Sequence, residues 1–408
     1  MIELSPHDMA HGGEAVARLD GKTWFVAGAM PGERVLGEVA VDKGAWGRVE
    51  LRSITEPSPG RVTPPCAHFG SCGGCQWQFA EHTVQLDWKR SILAGQLRHL
   101  GGVADPNVMP TVAPTGGYGY RNRMDFTVDR GRPALYRKGS RSPVPIVHCW
   151  LLEPSLEALF HRLGTLDGVE RLTLRVGSAT GDAMVVLTGP VPDHVDTWEA
   201  SVVRRHRDGY EAIAGDPWIT EVVAGHRFRI TTDAFFQNST PGAATLLTLV
   251  SEAAGLRPDD VMLDGYAGGG LFSIAVAGSV ARVIAVESHP VAVDDLRYNV
   301  TTAGLDNVDI VAGKMERHGA HNPWTVAVVD PPRTGLGEGA VAAVTAPLPR
   351  TLVYVSCDPA SLARDTTALA RSGYTLDRAT PVDLYPQTFH IETVARFVRS
   401  ANPLVNRD

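Results

Sequence analysis

A cysteine and three acidic residues each follow an apolar run, in positions where their side chains could do chemistry together. Cys357 follows the run that ends near residue 355, and Asp264, Glu287 and Asp330 follow three others upstream. Ligands of open α/β sheets bind beyond the carboxyl ends of the parallel strands, so we expect these four side chains at one sheet edge. A thiol in a polar turn can be tuned to act as a nucleophile. The pattern therefore predicts a cofactor site beside a nucleophilic cysteine.

The turn that follows Asp264 is rich in glycine, which lets a backbone approach a ligand closely. Residues 265–270 read GYAGGG, and this departs from the G-x-G-x-x-G pattern of dinucleotide sites. We predict instead that Asp264 contacts the methionine part of S-adenosylmethionine, directly or through water. Glu287, at the end of the next apolar run, is placed to accept hydrogen bonds from the ribose.

The segment Asp330-Pro331-Pro332 matches the D-P-P signature with which some methyltransferases bind an amine nitrogen of a base. Asp330 could instead hold the imide edge of a uracil, and a third interpretation is a turn that simply ends a strand. The first interpretation predicts a base-amine methyltransferase in which Cys357 has no role. The second predicts methylation of uracil carbon 5.

Methylation of carbon 5 needs more than a cofactor, because that carbon is a weak nucleophile. A thiolate that adds to carbon 6 activates carbon 5, and a base must later remove the carbon 5 proton so that the thiolate can leave. Glu392 is the candidate base, although its local pattern alone is typical of a surface carboxylate. His390 is a weaker alternative.

The other four cysteines form a group of their own. Cys66, Cys72 and Cys75 have the spacing C-x5-C-x2-C, and Cys149 lies far downstream. Four thiolates bind either zinc or an iron–sulfur cluster, and the spacing suits both. A disulfide is the least favoured state, because we expect a reducing compartment.

Composition indicates a globular protein of more than one domain. The chain has 408 residues, 44% hydrophobic and 20% charged, and no segment at its start resembles a signal peptide. We predict a cytoplasmic monomer that does not bind membranes.

A net charge of −7 argues against binding nucleic acid through the overall field. Residues 118–141 are nevertheless basic and aromatic, a mixture that suits RNA contacts at Arg121 and Arg123 and equally a merely solvated hairpin.

Three regions follow from the distribution of patterns along the chain. Residues 1–60 contain short alternating runs typical of a small β-barrel, and residues 61–232 combine the cysteine group with a β-rich part. Residues 233–408 alternate helix and strand, as in a doubly wound Rossmann-like sheet. Apolar periodicity predicts helices over 81–100 and 243–254, and strands near 261–264, 282–286, 308–311, 325–329 and 352–355.

Taken together, these residues resemble the RNA 5-methyluridine methyltransferases over nearly the whole chain. The segments HGGEAVAR (11–18) and PGERV (31–35) are similar to the RNA-binding TRAM barrel of that family. The resemblance implies a [4Fe–4S] cluster, rather than zinc, on the cysteine group. It implies S-adenosylmethionine contacts at Gln237, Tyr266, Glu287 and Asp330, and an aromatic contact near the target base at Phe235. It assigns Cys357 as nucleophile and Glu392 as base.

Three positions depart from the family pattern, at Ser239, Ala267 and Leu271, where the family usually has Asn, Cys and Asn. They concern a cofactor hydrogen bond rather than the reaction. The expected substrate is a uridine in structured RNA, with 23S ribosomal RNA favoured and transfer RNA an alternative. A non-catalytic RNA-binding module is a further alternative, which the presence of both Cys357 and Glu392 disfavours.

Overall fold

The computed structural model describes residues 1–318 and 323–400, so the last eight residues of the third predicted region lie outside the described part. A six-stranded sheet occupies the start of the chain, in the order β1-β5-β6-β4-β3-β2. Its strands are β1 (Ile2–Leu4), β2 (Asp8–Met9), β3 (Ala15–Leu19), β4 (Lys22–Val26), β5 (Arg34–Asp42) and β6 (Trp46–Glu56). The structure describes all of residues 1–60. Within them β1 and β2 are the two edge strands of the sheet and do not pair with each other. The predicted barrel thus remains a prediction.

Helix α1 (His82–His99) follows the cysteine segment and connects two cores. Trp88 and Ile92 pack with the first sheet, whereas Leu93 and Leu97 pack beneath the last sheet of the chain. The helix is only one residue shorter at each end than the predicted span 81–100. Because the helix buries residues on two faces, its apolar residues recur at helical intervals but do not form a single apolar face.

The middle of the chain forms a second sheet, in the order β13-β12-β11-β10-β7-β8-β9, and a separate hairpin. The sheet contains β7 (Arg123–Asp129), β8 (Arg132–Tyr136), β9 (Pro143–Pro145), β10 (Arg171–Val176), β11 (Ala183–Thr188), β12 (Ser201–His206) and β13 (Gly209–Ala214). Helix α2 (Pro154–Arg162) covers one face, and the hairpin is β14 (Trp218–Val223) with β15 (His226–Thr231).

The last sheet carries the predicted alternation of strand and helix. Its strands are β16 (Val261–Gly265), β17 (Arg282–Glu287), β18 (Val308–Ala312), β19 (Val326–Val329), β20 (Thr351–Ser356), β21 (Tyr374–Val382) and β22 (Glu392–Arg399). Its helices are α3 (Thr240–Ala254), α4 (Leu271–Val276), α5 (Pro290–Thr302), α6 (Gly337–Thr345) and α7 (Pro359–Arg371). The five strands foreseen from apolar runs are all present, and the sheet order is β18-β17-β16-β19-β20-β22-β21.

Alternate residues of the parallel strands belong to different cores on the two faces of this sheet. Val326 and Val328 of β19 pack on one face, and Ala327 and Val329 pack on the other. Strands buried on both faces read as continuous apolar runs, which is why the sequence revealed them. Among the described helices, none combines the length and hydrophobicity needed to cross a bilayer.

Candidate active site and cysteine cavity

The nucleophile candidate and the base candidate lie at the same end of one strand pair. Strand β22 runs antiparallel to β20, and Ser356 is the register partner of Thr393. The residues just beyond this pair are Cys357, which directly follows β20, and Glu392, the first residue of β22. The sheet therefore brings together two residues that are 35 positions apart in the sequence.

The turn that holds Cys357 is fixed by helix capping. Asp358 caps α7 by accepting a hydrogen bond from the backbone N–H of Ser361 at 2.7 Å, and Pro359 occupies the first turn of the helix. A loop of the first sheet also reaches this turn, since His11 Nε2 lies 3.5 Å from an Asp358 carboxylate oxygen. Cys357 itself is partly exposed.

Asp330 joins the pair from the neighbouring strand β19. Its backbone N–H donates to the carbonyl oxygen of Gly265 at 3.1 Å, which keeps it in line with the end of β16. Burial and the negative charge of Asp264 raise the pKa of Asp330 to about 7. Burial and the charge of Asp330 raise the pKa of Glu392 well above its usual range.

Cys357 has the same electrostatic surroundings. Burial, followed by the charges of Glu392 and Asp330, raises the pKa of its thiol to about 12, against the opposing effect of Arg333. Arg333 also lowers the pKa of Glu392. This arginine follows the D-P-P segment in the sequence, but only the fold shows it as the counter-charge of the site.

Glu392 is only 4% exposed, so the interpretation of its pattern as a surface carboxylate is wrong. It is buried because β22 is inserted between β20 and β21. His390, the alternative base, has its pKa lowered to about 4, mainly by burial. A neutral imidazole of such low basicity is a poorer proton acceptor than Glu392.

Asp264 is fully buried and has one unused acceptor. Its Oδ2 accepts hydrogen bonds from the backbone N–H and the hydroxyl of Ser273, at 2.8 and 2.5 Å. Its Oδ1 is buried without a partner in the described residues. Burial, with a smaller effect from the charge of Glu287, raises its pKa to about 7. An orphaned carboxylate oxygen of this kind fits a cationic ligand group.

Tyr266 separates two clefts at the edge of the sheet. One is lined by Phe235, Gln237, Tyr266 and Asp330, and the other by Tyr266, Ser288 and Glu316 among others. The backbone of Tyr266 has φ +65°, a left-handed conformation that is costly for an aromatic residue. Such strain is found most often at ligand sites.

Glu287 lies at the end of β17, beside both clefts. One of its carboxylate oxygens accepts from the N–H of Gly268 at 2.9 Å, and the other accepts from those of Ser288 and His289, both at 2.6 Å. These bonds fix the carboxylate in one orientation. Each oxygen of a carboxylate has two acceptor positions, so Oε2 still has one available for a hydroxyl donor.

Phe235 is 60% exposed, whereas its neighbours Ala234 and Phe236 are buried. The buried guanidinium of Arg175, on β10, donates to the carbonyl oxygens of these two neighbours at 3.1 and 3.4 Å. An arginine of the middle sheet thus holds the segment that presents Phe235. No local sequence pattern indicated this role for Arg175.

The predicted cysteine group lines one cavity of about 260 Å³. Cys66, Cys72, Cys75 and Cys149 share its wall with apolar and aromatic side chains. Burial, with smaller contributions from neighbouring thiols, raises the pKa of Cys75 to about 12 and that of Cys149 to about 11. Such thiols need a cation in order to ionise, and four of them around one cavity suit a metal group.

The spacing of the four sulfur atoms bears on the kind of group they could hold. Zn–S bonds of 2.3 Å in a tetrahedron place two sulfur ligands about 3.8 Å apart. Among the described residues, no three of these Sγ atoms come within 4.8 Å of one another. The four thiols are therefore not already gathered in the arrangement of a tetrahedral zinc site, and the donor set suits a metal group.

Arg121 lies in the wall of the cysteine cavity rather than in the predicted basic hairpin, since β7 begins at Arg123. Its guanidinium faces the rings of Tyr120 and Tyr385, with centroid distances of 5.6 and 5.5 Å. Burial, with smaller contributions from Glu392 and Cys357, raises the pKa of Tyr385 to about 12, which places that ring beside these two residues. Arg121 therefore stands between the two sites.

A buried ion pair supports the loop that leads to Glu392. Lys89 of α1 donates to Asp383 at 2.5 Å and also to the backbone carbonyls of Tyr385 and His390. His82 contacts the other oxygen of Asp383 at 2.7 Å. The cysteine-bearing region thus positions the loop from which the candidate base emerges.

Comparison with known proteins identifies the family. A sequence profile described as tRNA (uracil-5-)-methyltransferase matches residues 221–320 and 318–399. An RNA methyltransferase of Gloeobacter violaceus is 33% identical over 96% of this chain and 95% of its own. An RNA methyltransferase of Streptomyces coelicolor is 34% identical over 97% of this chain and 91% of its own.

The chain belongs to the tRNA (uracil-5-)-methyltransferase family. It is an RNA methyltransferase, so the alternative of a non-catalytic RNA-binding module is wrong. The crystal structure of a tRNA (uracil-54, C5)-methyltransferase of Pyrococcus abyssi, in complex with S-adenosyl-L-homocysteine, has the same fold. It superposes with a TM-score of 0.78 at 24% identity and covers 97% of this chain and 100% of that one.

All three departures from the family pattern have a structural explanation. Ser239 caps α3 by accepting from the N–H of Gly242 at 3.2 Å, a role for which serine and asparagine are equally suited. This cap also explains why α3 begins at Thr240, three residues before the predicted start. Ala267 and Leu271 are buried and line the cleft beside Tyr266, where their apolar side chains fill space.

Proposed function

We propose that this protein methylates carbon 5 of a uridine in RNA through a covalent adduct with Cys357. The observation that carries the proposal is the placement of Cys357 and Glu392 at the end of one strand pair, with Asp330 on the adjacent strand. A nucleophile, a base and an imide-binding acid are the three groups that the reaction needs. A base-amine methyltransferase would use Asp330 but would have no role for the other two.

S-adenosylmethionine supplies the methyl group when it is bound. We propose that Asp264 Oδ1, buried without a partner, accepts from the ammonium group of the methionine part. Gln237 and Asp330 would line the same cleft, and Tyr266 would lie between it and the cleft for the adenosine part. Glu287 would accept a hydrogen bond from a ribose hydroxyl with its remaining lone pair.

The chain's own residues would act in a fixed order. Asp330 would hold the imide edge of the uracil while the Cys357 thiolate adds to carbon 6, which makes carbon 5 nucleophilic. After methylation, Glu392 would take the proton from carbon 5, and the Cys357–carbon 6 bond would break to restore the thiolate. The raised pKa of Glu392 makes its carboxylate a stronger base than an ordinary glutamate.

The raised pKa of Cys357 shows what the site needs in order to react. The thiol is faced by Glu392 and Asp330, and Arg333 is the cation that opposes them. A cationic cofactor in the cleft adds positive charge beside the same groups and favours the thiolate. Nucleophile and cofactor would therefore become reactive together.

The RNA target would reach Cys357 as a flipped base, because a stacked uracil cannot present carbon 6 to a thiol. Phe235 is exposed beside the cleft and would stack on the target base or its neighbour. Arg123 would contact phosphate. Arg121 would support the RNA site indirectly, because its guanidinium faces the ring of Tyr385 between the cysteine cavity and the cleft.

For the cysteine cavity we propose a [4Fe–4S] cluster on Cys66, Cys72, Cys75 and Cys149. The cavity volume of about 260 Å³, and the lack among the described residues of three of these Sγ atoms within 4.8 Å of one another, suit a group larger than one ion. Its role would be to hold the cysteine loops and Arg121 in place. We propose 23S ribosomal RNA as the substrate, because the additional sheet and the cysteine region suit a large structured RNA. We also propose that the enzyme is a monomer and acts in the cytoplasm.

RNA that contains 5-fluorouridine tests the mechanism. Fluorine at carbon 5 cannot be removed by Glu392 as a proton can, so the adduct with Cys357 should persist in a denaturing gel. We expect a shifted band with the native enzyme and S-adenosylmethionine, and none with Cys357→Ala. A methylated product without any trapped species would favour the amine-methyltransferase alternative.

The choice of RNA is tested by mapping 5-methyluridine in cells with and without the gene. Loss of one site in 23S ribosomal RNA is the expected result. Loss of a transfer RNA site instead would keep the reaction and change the substrate.

A further inference from the structure

A histidine–glutamate–histidine cluster lies at the mouth of the cysteine cavity, and the proposed function does not use it. His148 Nδ1 lies 2.7 Å from Glu157 Oε1, and His161 Nε2 lies 3.0 Å from the same oxygen. One ligand atom from each of the three residues falls within 4.8 Å of the others. His148 lines the cavity next to Cys149, whereas Glu157 and His161 are one helical turn apart on α2.

The way the carboxylate is used separates this cluster from an ordinary surface ion pair. Both imidazoles contact Oε1 of Glu157, while its Oε2 is buried without a partner among the described residues. Two histidines that merely shared a carboxylate would satisfy it better with one on each oxygen. The unused oxygen leaves Glu157 able to bind an ion through either or both of its oxygens.

The donor set determines which ion would bind. Two imidazole nitrogens and one carboxylate are the ligands of open zinc-type sites, in which a fourth position is left to water or another oxygen. Both histidines are about half exposed, at 49% and 55%, so an ion from solution can reach them. We propose that His148, Glu157 and His161 bind one divalent transition-metal ion of the zinc class, separate from the group on the four cysteines.

Such an ion would add a direct link between two elements that already share hydrogen bonds and a hydrophobic core. His148 belongs to the loop that carries Cys149 and Trp150, and the other two ligands belong to α2. The ring of His148 already packs edge-on against Trp150, with 5.1 Å between centroids. The ion would fix this loop against the helix and so hold one wall of the cysteine cavity. This site requires neither uridine methylation nor any particular group on the cysteines.

The test uses the full-length protein with its cysteine site loaded. Equilibrium dialysis against Zn²⁺ should show one further equivalent, and Co²⁺ at this site should give weak d–d bands without intense thiolate charge-transfer bands. His161→Ala, an exposed change on α2, should lose that equivalent, and Glu157→Gln should lose it as well. Melting curves of both variants without added metal should match the native protein, which excludes a folding defect.

The chain supplies a matched control in His206, an exposed histidine 3.2 Å from the carboxylate of Glu211, which within the described part of the chain belongs to no group of three such ligands. His206→Ala should retain the additional equivalent. The inference is overturned if the Zn²⁺ stoichiometry is unchanged in His161→Ala, if His206→Ala loses it equally, or if the Co²⁺ spectrum is that of thiolate ligands.

Discussion

The cleft beside Cys357 and the cysteine cavity both hold thiols of raised pKa, but the groups that surround the thiols differ in kind. Cys357 and Cys75 have the same pKa of about 12, and burial is the main cause in each case. Beyond burial, carboxylates oppose ionisation of Cys357, whereas other thiols oppose ionisation of Cys75. Each thiol needs positive charge to become a thiolate, and each region favours a different source of it.

This difference suits the two proposed roles, nucleophile for Cys357 and metal ligand for Cys75. In the cleft the groups around the thiol are acids that can exchange protons, with Arg333 as counter-charge, so in the proposed reaction the thiolate would form and be released in each cycle. In the cavity the thiols face one another across an apolar space, so a metal group would keep them ionised permanently. Arg121, in contact with Tyr385, is where the two regions meet.

The sharpest test of the comparison is a reciprocal pair of serine substitutions. Cys357→Ser should abolish methylation and leave metal content and cofactor binding intact, because serine is a far weaker nucleophile. Cys75→Ser should lose the metal group and the brown colour expected of a [4Fe–4S] cluster. Methylation assays and iron analysis of both proteins check this. Turnover by Cys357→Ser, or full iron in Cys75→Ser, would break the comparison.

Glu392→Gln should slow turnover by roughly 10²- to 10⁴-fold, because a positioned base contributes about that much. One methylation should still occur, after which the enzyme should remain bonded to the RNA, since the carbon 5 proton stays in place. Denaturing gels with unmodified RNA measure the adduct. His390→Ala is the control and should turn over without accumulating an adduct.

Asp264→Asn should weaken S-adenosylmethionine binding by roughly tenfold to a hundredfold, as expected for one charge-assisted hydrogen bond. Calorimetric titration gives the affinity. Ser273→Ala, which removes only the hydroxyl partner of Asp264, should cost less. If the two variants bind the cofactor equally well, Asp264 is a structural residue only.

The same aspartate predicts how stability depends on pH without cofactor. Its pKa rises from 3.8 to about 7 on folding, so the folded state holds an extra proton in that window. Its stabilising contribution is therefore present below about pH 4 and is lost as the pH rises towards 7, on the order of 1.4 kcal/mol per unit. Denaturant unfolding of Asp264→Asn should show a flatter pH profile. A profile identical to that of the native protein would contradict the assignment.

Arg123→Ala should have the smallest effect. Losing one phosphate contact should reduce the salt dependence of RNA binding by about 0.7 to 0.9 in the log–log slope and leave both thiol sites unchanged. Arg162→Ala, an exposed arginine of α2, is the control and should not change the slope. An unchanged slope in Arg123→Ala would move the phosphate contacts elsewhere.

The strands beneath the catalytic cleft were predictable because they are buried on both faces, and burial on both faces leaves continuous apolar runs. The three strand-end acids and Cys357 followed from the same runs, with the role of each residue still a proposal. Glu392 was not predictable from its own surroundings, because its burial depends on the pairing of β22 with β20, whose partner residues lie 37 to 47 positions earlier. A short sequence window contains no trace of that partner.

Long-range polar contacts set the same limit elsewhere. Arg175 holds the segment around Phe235 from about 60 residues away, and Lys89 reaches Asp383 across almost 300. A buried arginine or lysine looks like a surface residue until its partners are known. Arg121 is the clearest case. The basic stretch around it predicted an RNA contact, whereas in the fold its side chain lines the wall of the cysteine cavity.

Strand β22 lies between β20 and β21, although it follows both in the chain. Proteins are synthesised from the amino end, so the ribosome releases the segment with Cys357 before the segment with Glu392. Until β22 enters the sheet, a nascent chain has the thiol without its carboxylate and an open edge on β20. The two proposed catalytic groups can therefore meet only after most of the chain has been made.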